Sequence, residues 1–77
     1  METNIKRSNL SEREFEIMLL VSCGKLNKEI ADVLNRSINT IRKHLQHIFL
    51  KLGVQNRTEA TIKFLKISGM LNQVNEN

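Results

Sequence analysis

Four side chains in one short segment have donor and acceptor patterns that match the edges of nucleic-acid bases. They are Asn39, Arg42, Lys43 and Gln46. Arginine can donate two hydrogen bonds to O6 and N7 of guanine, lysine also favours guanine, and glutamine can pair with N6 and N7 of adenine. We therefore expect Arg42, Lys43 and Gln46 to contact bases, with Asn39 as a further candidate. The alternative for each is a solvated surface side chain.

The charges around this segment are unevenly distributed. The net charge is +4, and no acidic residue occurs from Val33 to Thr58, although five cations fall inside that stretch. Acidic residues cluster elsewhere, at Glu12, Glu14 and Glu16. Such segregation favours a polyanion facing the second half of the chain, while a basic, solvated face with no ligand is the alternative.

A second group of residues has the chemistry of phosphate contacts. Amides at helix starts, hydroxyl groups and exposed cations bind the nucleic-acid backbone without reading its sequence. We expect these contacts to add affinity and not sequence choice. The predicted phosphate-binding residues are Lys28, Ser37, Thr40, Lys51 and Arg57.

The remaining reactive side chains do not form a recognisable site. His44 lies at the edge of the expected core and is interpreted as mainly structural, whereas His47 is more exposed and receives no role. Cys23 lies among apolar residues, which favours a buried, inert thiol. Zinc would need both histidines and remote partners, so no metal and no other cofactor is predicted.

Several function classes find little support in the sequence. It contains no glycine-rich phosphate loop, metal-ligand spacing or Ser-His-acid arrangement, so an enzyme is not predicted. No apolar run approaches the roughly 20 residues that span a bilayer, and METNIKRSN lacks the apolar stretch of a secretory signal, which predicts a cytoplasmic protein without a membrane partner. A protein-interaction module and an RNA-binding module stay open as alternatives, although few aromatic residues are available to stack on RNA bases.

The elements that position these side chains are predicted to be helices. Proline is absent and apolar residues recur at helical spacing, so the fold class is all-α, a compact four-helix domain. Ser11 and Glu14 form a capping box at the first helix, and Asn27, Ser37 and Asn56 are expected to cap the others. The predicted helices cover 11–23, 27–34, 37–51 and 56–68. We expect a flexible lead-in over 1–9, the domain over 10–71 and a flexible tail over 72–77.

The second and third helices have the layout of a helix-turn-helix. A short helix, a tight turn at Asn35 and Arg36, and a longer helix follow one another, with Ala31 as the small residue where the two helices meet. At 100° per residue, one stripe of the third helix faces inward and the base-reading candidates face outward. The inward stripe is Ile41, Leu45, Ile48 and Leu52.

The chain from Leu10 to Leu71 resembles the LuxR-type (GerE-type) DNA-binding domain of bacterial transcription regulators. The matching stretches include Leu10-Ser11-Glu12-Arg13-Glu14, Asn27-Lys28-Glu29-Ile30-Ala31, Thr40-Ile41, Lys51-Leu52-Gly53-Val54 and Asn56-Arg57-Thr58-Glu59-Ala60. Leu26, Arg36 and Phe64 depart from the usual family pattern. Phe64 stands where alanine is usual and bears on how the fourth helix is seated.

The resemblance implies a sequence-specific regulator that binds double-stranded DNA, with the helix over about 37–51 in the major groove. Arg42, Lys43 and Gln46 match the family's base-reading positions. Family members often pair through the fourth helix, and we expect a weak homodimer through Thr58, Thr61, Ile62 and Leu65. RNA polymerase is a further candidate partner. Both a stand-alone factor and the output domain of a response regulator are consistent with the sequence.

Overall fold

The computed structural model describes residues 10–69, which form four α-helices. α1 covers Glu12–Ser22, α2 covers Asn27–Leu34, α3 covers Ile38–Leu52 and α4 covers Arg57–Ser68. No strand occurs within residues 10–69, so the predicted all-α class with four helices is confirmed. The predicted lead-in, the predicted tail and the last two residues of the predicted domain lie outside the described residues.

The first helix begins at the predicted capping box. The Ser11 hydroxyl accepts a hydrogen bond from the Glu14 amide at 3.1 Å, and the Glu14 carboxylate accepts one from the Ser11 amide at 2.9 Å. These two bonds satisfy amide groups that have no partner within the helix. The prediction of a buried Cys23 was wrong, because Cys23 follows the last turn of α1 on the side opposite its buried face and is exposed.

The second helix starts differently from the prediction. Leu26 is the capping residue, and the Glu29 carboxylate accepts a hydrogen bond from its amide at 2.7 Å. Asn27 is therefore the first helical residue and not the cap, and its side chain is used elsewhere. The helix ends at Asn35, which adopts the left-handed conformation at φ 58°. Asparagine tolerates that conformation better than most residues, so the tight turn before α3 is encoded locally.

The third and fourth helices begin at their predicted caps. The Ser37 hydroxyl accepts from the Thr40 amide at 3.1 Å, and the Asn56 side chain accepts from the Glu59 amide at 2.9 Å. Gly53 ends α3 with φ 70°, a value that costs glycine little because it lacks a Cβ atom.

The core lies where the apolar stripes of all four helices meet. Its largest fully buried side chains come from each helix: Ile17, Met18, Ile30, Ile41, Ile48 and Phe64. Phe64, which departs from the family pattern, packs edge-on against Phe15 with ring centroids 4.9 Å apart. This ring pair packs α4 against α1. An edge-to-face aromatic pair stabilises a fold beyond the effect of the apolar area that it buries.

The helix-turn-helix is built on the contact between α2 and α3. Ala31 is 3% exposed, and its carbonyl oxygen accepts a hydrogen bond from the Arg36 amide at 2.9 Å. Ile30 and Ile41 are fully buried on the two helices. A small side chain at Ala31 therefore lets α2 approach the rest of the core closely.

Ala31→Leu should lower the free energy of unfolding by about 1–3 kcal/mol, because the larger side chain must be fitted into a packed contact. Urea denaturation at neutral pH measures this change. Val33→Leu is the matched control, since Val33 lies on the same helix and is 61% exposed; its stability should stay within about 0.5 kcal/mol of the wild type. Equal stability of both variants would show that Ala31 does not limit the approach of α2.

Candidate nucleic-acid interface

The third helix has one buried side and one exposed side. Ile41, Leu45, Ile48 and Leu52 recur every three or four residues and are all buried, as the sequence predicted. Their stripe determines how the helix is rotated, because residues at this spacing lie on one face. The opposite face of the helix is therefore presented to solvent.

All four base-reading candidates lie on this exposed side. Asn39, Arg42, Lys43 and Gln46 are exposed. Among residues 10–69, the side chains of Arg42, Lys43 and Gln46 have no hydrogen-bond or ion-pair partner, so their donors and acceptors are available to a ligand. Leu50, one turn beyond Gln46, is 79% exposed and adds an apolar end to the same face.

Three of the five phosphate candidates lie near the first turns of α2 and α3. Lys28 is exposed on the first turn of α2. Ser37 caps α3, and its hydroxyl lies 3.0 Å from the hydroxyl of Thr40. The first turn of a helix carries amide donors and partial positive charge, so each of these two helix starts favours an anion.

Lys51, the fourth phosphate candidate, has an intramolecular partner. Its Nζ atom donates to the Glu14 carboxylate at 2.7 Å, which joins the end of α3 to the start of α1. The Glu14 side chain is only 7% exposed, whereas that of Lys51 is 42% exposed. Burial alone would raise the pKa of the Glu14 carboxyl, but the hydrogen bonds from Lys51 and the Ser11 amide outweigh burial and lower the pKa below its ordinary value.

Arg57, the fifth phosphate candidate, also has intramolecular partners. Its Nη1 atom donates to the Asn27 side-chain oxygen at 2.8 Å, and its Nη2 atom donates to the Lys25 carbonyl oxygen at 2.6 Å. Sequence reasoning missed both this bridge and the Lys51–Glu14 pair. Glu14 could have been found, because it falls on the same stripe of α1 as Ile17 and Val21 and a buried carboxylate needs a partner. No periodic pattern marks a bond between residues thirty positions apart in the sequence.

The fourth helix presents a mixed surface. Ala60 and Phe64 are fully buried, whereas Ile62 is 46% exposed and Leu65 is half-buried. Thr58 is exposed beside them, and the Thr61 hydroxyl donates to the Arg57 carbonyl oxygen at 3.0 Å. The four predicted interface residues therefore lie along one side of α4, where Leu65 also packs against the edge of the core.

Residues 10–69 contain no group of three or more His, Cys, Asp or Glu side chains arranged to hold a metal ion. No described helix is both long and apolar enough to cross a membrane.

Comparison with known proteins identifies the family of this chain. A family model described as "GerE: Bacterial regulatory proteins, luxR family" matches residues 8–64. The chain belongs to the luxR family. As a luxR-family domain with a helix-turn-helix, it falls in the class of DNA-binding transcription regulators, a class that is generally non-enzymatic.

The curated relatives of this luxR-family domain include response regulators. The response regulator proteins VraR of Staphylococcus aureus, Staphylococcus saprophyticus and Staphylococcus epidermidis are each 47% identical over 53 residues. The match covers 69% of this chain and 25% of each relative, so the chain matches only about a quarter of their length. No solved structure matches the chain.

Glu14→Gln should lower the free energy of unfolding at pH 7 by about 1–3 kcal/mol, because it removes a charged, hydrogen-bonded partner of Lys51. Folding lowers the pKa of the Glu14 carboxyl, so its ionised form stabilises the protein fully at pH values above the ordinary pKa of 4.5. This stabilisation is lost as the pH falls through the lowered pKa. The difference between wild type and Glu14→Gln should therefore shrink in acid. Urea denaturation across pH 3 to 7 measures it.

Glu12→Gln is the control for this experiment. Glu12 lies in the same turn of α1 but is exposed, so its substitution should change stability by less than about 0.5 kcal/mol. A Glu14→Gln deficit that stays constant from neutral to acidic pH would contradict the assignment of a charged Glu14–Lys51 pair.

Proposed function

We propose that this chain binds double-stranded DNA in a sequence-specific manner, with α3 in the major groove. The observation that carries the proposal is the exposed side of α3, where Arg42, Lys43 and Gln46 have no hydrogen-bond or ion-pair partner among residues 10–69. The 15 residues of α3 extend over roughly 22 Å, and the major groove is about 12 Å wide and admits an α-helix. The helix can thus lie in the groove while its buried stripe holds it to the domain.

The proposed contacts divide into two kinds. Base edges are read by Arg42, Lys43, Gln46 and, at the start of the helix, Asn39. Phosphates are bound around the first turns of α2 and α3 by Lys28, Ser37 and Thr40. Lys51 keeps two N–H donors beyond the one used by Glu14, so it is a further phosphate contact at the far end of α3.

The regulatory role of the whole protein is inferred from its relatives. VraR is named a response regulator protein, and this chain matches about a quarter of its length. We infer that the chain acts in transcription regulation as a DNA-binding unit, either by itself or as the output domain of a response regulator. Because bacterial chromosomes lie in the cytoplasm, the proposed function also implies that location. RNA polymerase is the protein partner that such a regulator would contact.

A non-DNA interaction module is the second candidate function. Leu50, which is 79% exposed at the end of the reading face, favours it, because an apolar residue on an otherwise polar face can mark a protein contact. Single-strand, RNA and duplex probes in one gel-shift experiment separate these possibilities.

Arg42→Ala should relax base preference at one position of the selected duplex, at a cost of about 1–3 kcal/mol on the best site and little on random DNA. Lys28→Ala should instead weaken binding to all duplexes alike and reduce the dependence of log affinity on log salt by about 0.9, the value of one phosphate contact. Selection from random duplexes and salt titration measure the two effects.

Wild-type protein provides the reference for both variants. Its affinity for duplex DNA should fall as salt is raised and should exceed its affinity for single strands and RNA. Salt-independent binding, or equal affinity for every duplex, would contradict the proposed function. Identical behaviour of Arg42→Ala and Lys28→Ala would contradict the division into base and phosphate contacts.

We also propose that two copies pair through α4 on a site with two half-sites. The pairing surface consists of Thr58, Thr61, Ile62 and Leu65, and the 46% exposure of Ile62 supports it, since burial of this side chain would be completed by a second copy. So small an apolar surface should associate weakly in solution. DNA that aligns two copies about one helical turn apart should strengthen the pairing.

Leu65→Glu and Ile62→Glu should abolish cooperative binding to a duplex with two half-sites, because each places like charges across the two-fold axis. Binding of the folded variants to a single half-site should stay within about twofold, since neither residue is among the proposed DNA contacts. Lys63→Glu is the matched control on the same helix, as Lys63 is exposed on a different side. Cooperativity that survives in a folded Ile62→Glu protein would eliminate this surface as the interface.

A further inference from the structure

The guanidinium group of Arg57 connects two helices, α4 and α2, that have no backbone contact with each other. Arg57 is the first residue of α4, and Asn27, which accepts from Nη1, is the first residue of α2. No Cα atom of α2 lies within 8 Å of one in α4, so the backbones of these two described helices do not meet. The Arg57 side chain crosses the gap between them.

Both ends of the guanidinium fork are used in this bridge. The second bond, from Nη2 to the Lys25 carbonyl oxygen, reaches the loop just before α2. Bonds from a charged donor are shorter and stronger than neutral ones, and two bonds from a planar group also fix an angle. Arg57 thus constrains both the position and the direction of the chain where α2 begins.

The other end of the bridge is itself held in place. The α4 start is capped by Asn56, and the Glu59 carboxylate accepts a hydrogen bond from the Gln55 amide at 3.0 Å. The Thr61 hydroxyl donates back to the Arg57 carbonyl oxygen at 3.0 Å. The guanidinium group therefore extends from an ordered helix start and not from a free chain end.

The bridge lies beside the proposed DNA-reading side chains. Arg57 and Asn27 line a shallow groove together with Arg42 and Gln46 of α3. Lys28, a proposed phosphate contact, follows Asn27 directly. A shift at the start of α2 would consequently move a phosphate contact relative to the base-reading residues.

We propose that Arg57 is a positioning residue and not a phosphate contact, and that its two bonds fix the start of α2 relative to α4. This inference rests on the proposed DNA binding and on pairing through α4. In a paired complex, the angle between α4 and the helix-turn-helix decides how far apart the two α3 helices lie. Arg57 therefore makes the protein selective for the distance between half-sites.

The first arm of the test uses a duplex with a single half-site. Arg57→Ala, which removes both bonds, should weaken binding roughly tenfold; Asn27→Ala, which leaves the bond to Lys25, should weaken it no more than that, and the double variant should lose no more than Arg57→Ala alone. The dependence of log affinity on log salt should stay at the wild-type value in all three. Lys28→Ala is the matched control, because it removes a neighbouring cation and should reduce that dependence by about 0.9.

The second arm uses duplexes whose two half-sites are at the preferred distance, one base pair closer or one base pair farther apart. Wild-type protein and Lys28→Ala should discriminate among the three distances. Arg57→Ala and Arg57→Lys should bind all three with similar affinity, because an ammonium group keeps the charge but cannot reproduce the planar fork. A purely structural loss of stability would weaken all three complexes without changing their ratio.

The outcomes separate the inference from the function on which it rests. Wild-type protein that binds no duplex would remove the proposed function and the inference together. A different result would overturn the inference alone. If wild-type protein binds, and Arg57→Ala shows a slope of log affinity against log salt that is smaller by about 0.9 but still discriminates among the distances, Arg57 is a phosphate contact. If Arg57→Ala does not fold, Arg57→Lys decides: wild-type discrimination by this variant overturns the inference, and loss of discrimination supports it.

Discussion

Burial of one stripe of α3 is the constraint on which the rest of the structure depends. Burial of one aliphatic side chain contributes about 1.5–3 kcal/mol, so exposing even one of the buried residues Ile41, Leu45, Ile48 and Leu52 would cost a large fraction of the net 5–15 kcal/mol by which a small domain is stable. Rotating α3 to present another face would expose this stripe. The same burial that stabilises the domain therefore fixes which side chains of α3 are exposed to solvent.

Two polar contacts then join the ends of the helices to one another. The Lys51–Glu14 pair ties the end of α3 to the start of α1, and Arg57 ties the start of α4 to the start of α2. Both pairs use cations from the acid-free stretch of the sequence. Some cations of this stretch therefore stabilise the fold, whereas Arg42 and Lys43 are exposed.

Local patterns predicted most of the fold because the interactions behind them are local. The stripe of α3 and the caps at Ser11, Ser37 and Asn56 depend on residues three or four positions apart, and all were confirmed. The prediction failed where a long-range contact competed. Asn27 has the chemistry of a cap, but its side chain binds Arg57 instead, and no local pattern specifies that partner. Exposure of Asn39, Arg42, Lys43 and Gln46 followed from the stripe, whereas the ligand that they bind stays a proposal.

The most direct test of the account is methylation interference on a selected duplex with wild-type protein and Arg42→Ala. Methylation of guanine N7 modifies only the major groove, and methylation of adenine N3 modifies the minor groove. If α3 reads the major groove through Arg42, modification of at least one guanine N7 should block wild-type binding, and Arg42→Ala should lose sensitivity at that guanine alone. Interference confined to adenine N3, or an unchanged guanine pattern with Arg42→Ala, would contradict the account.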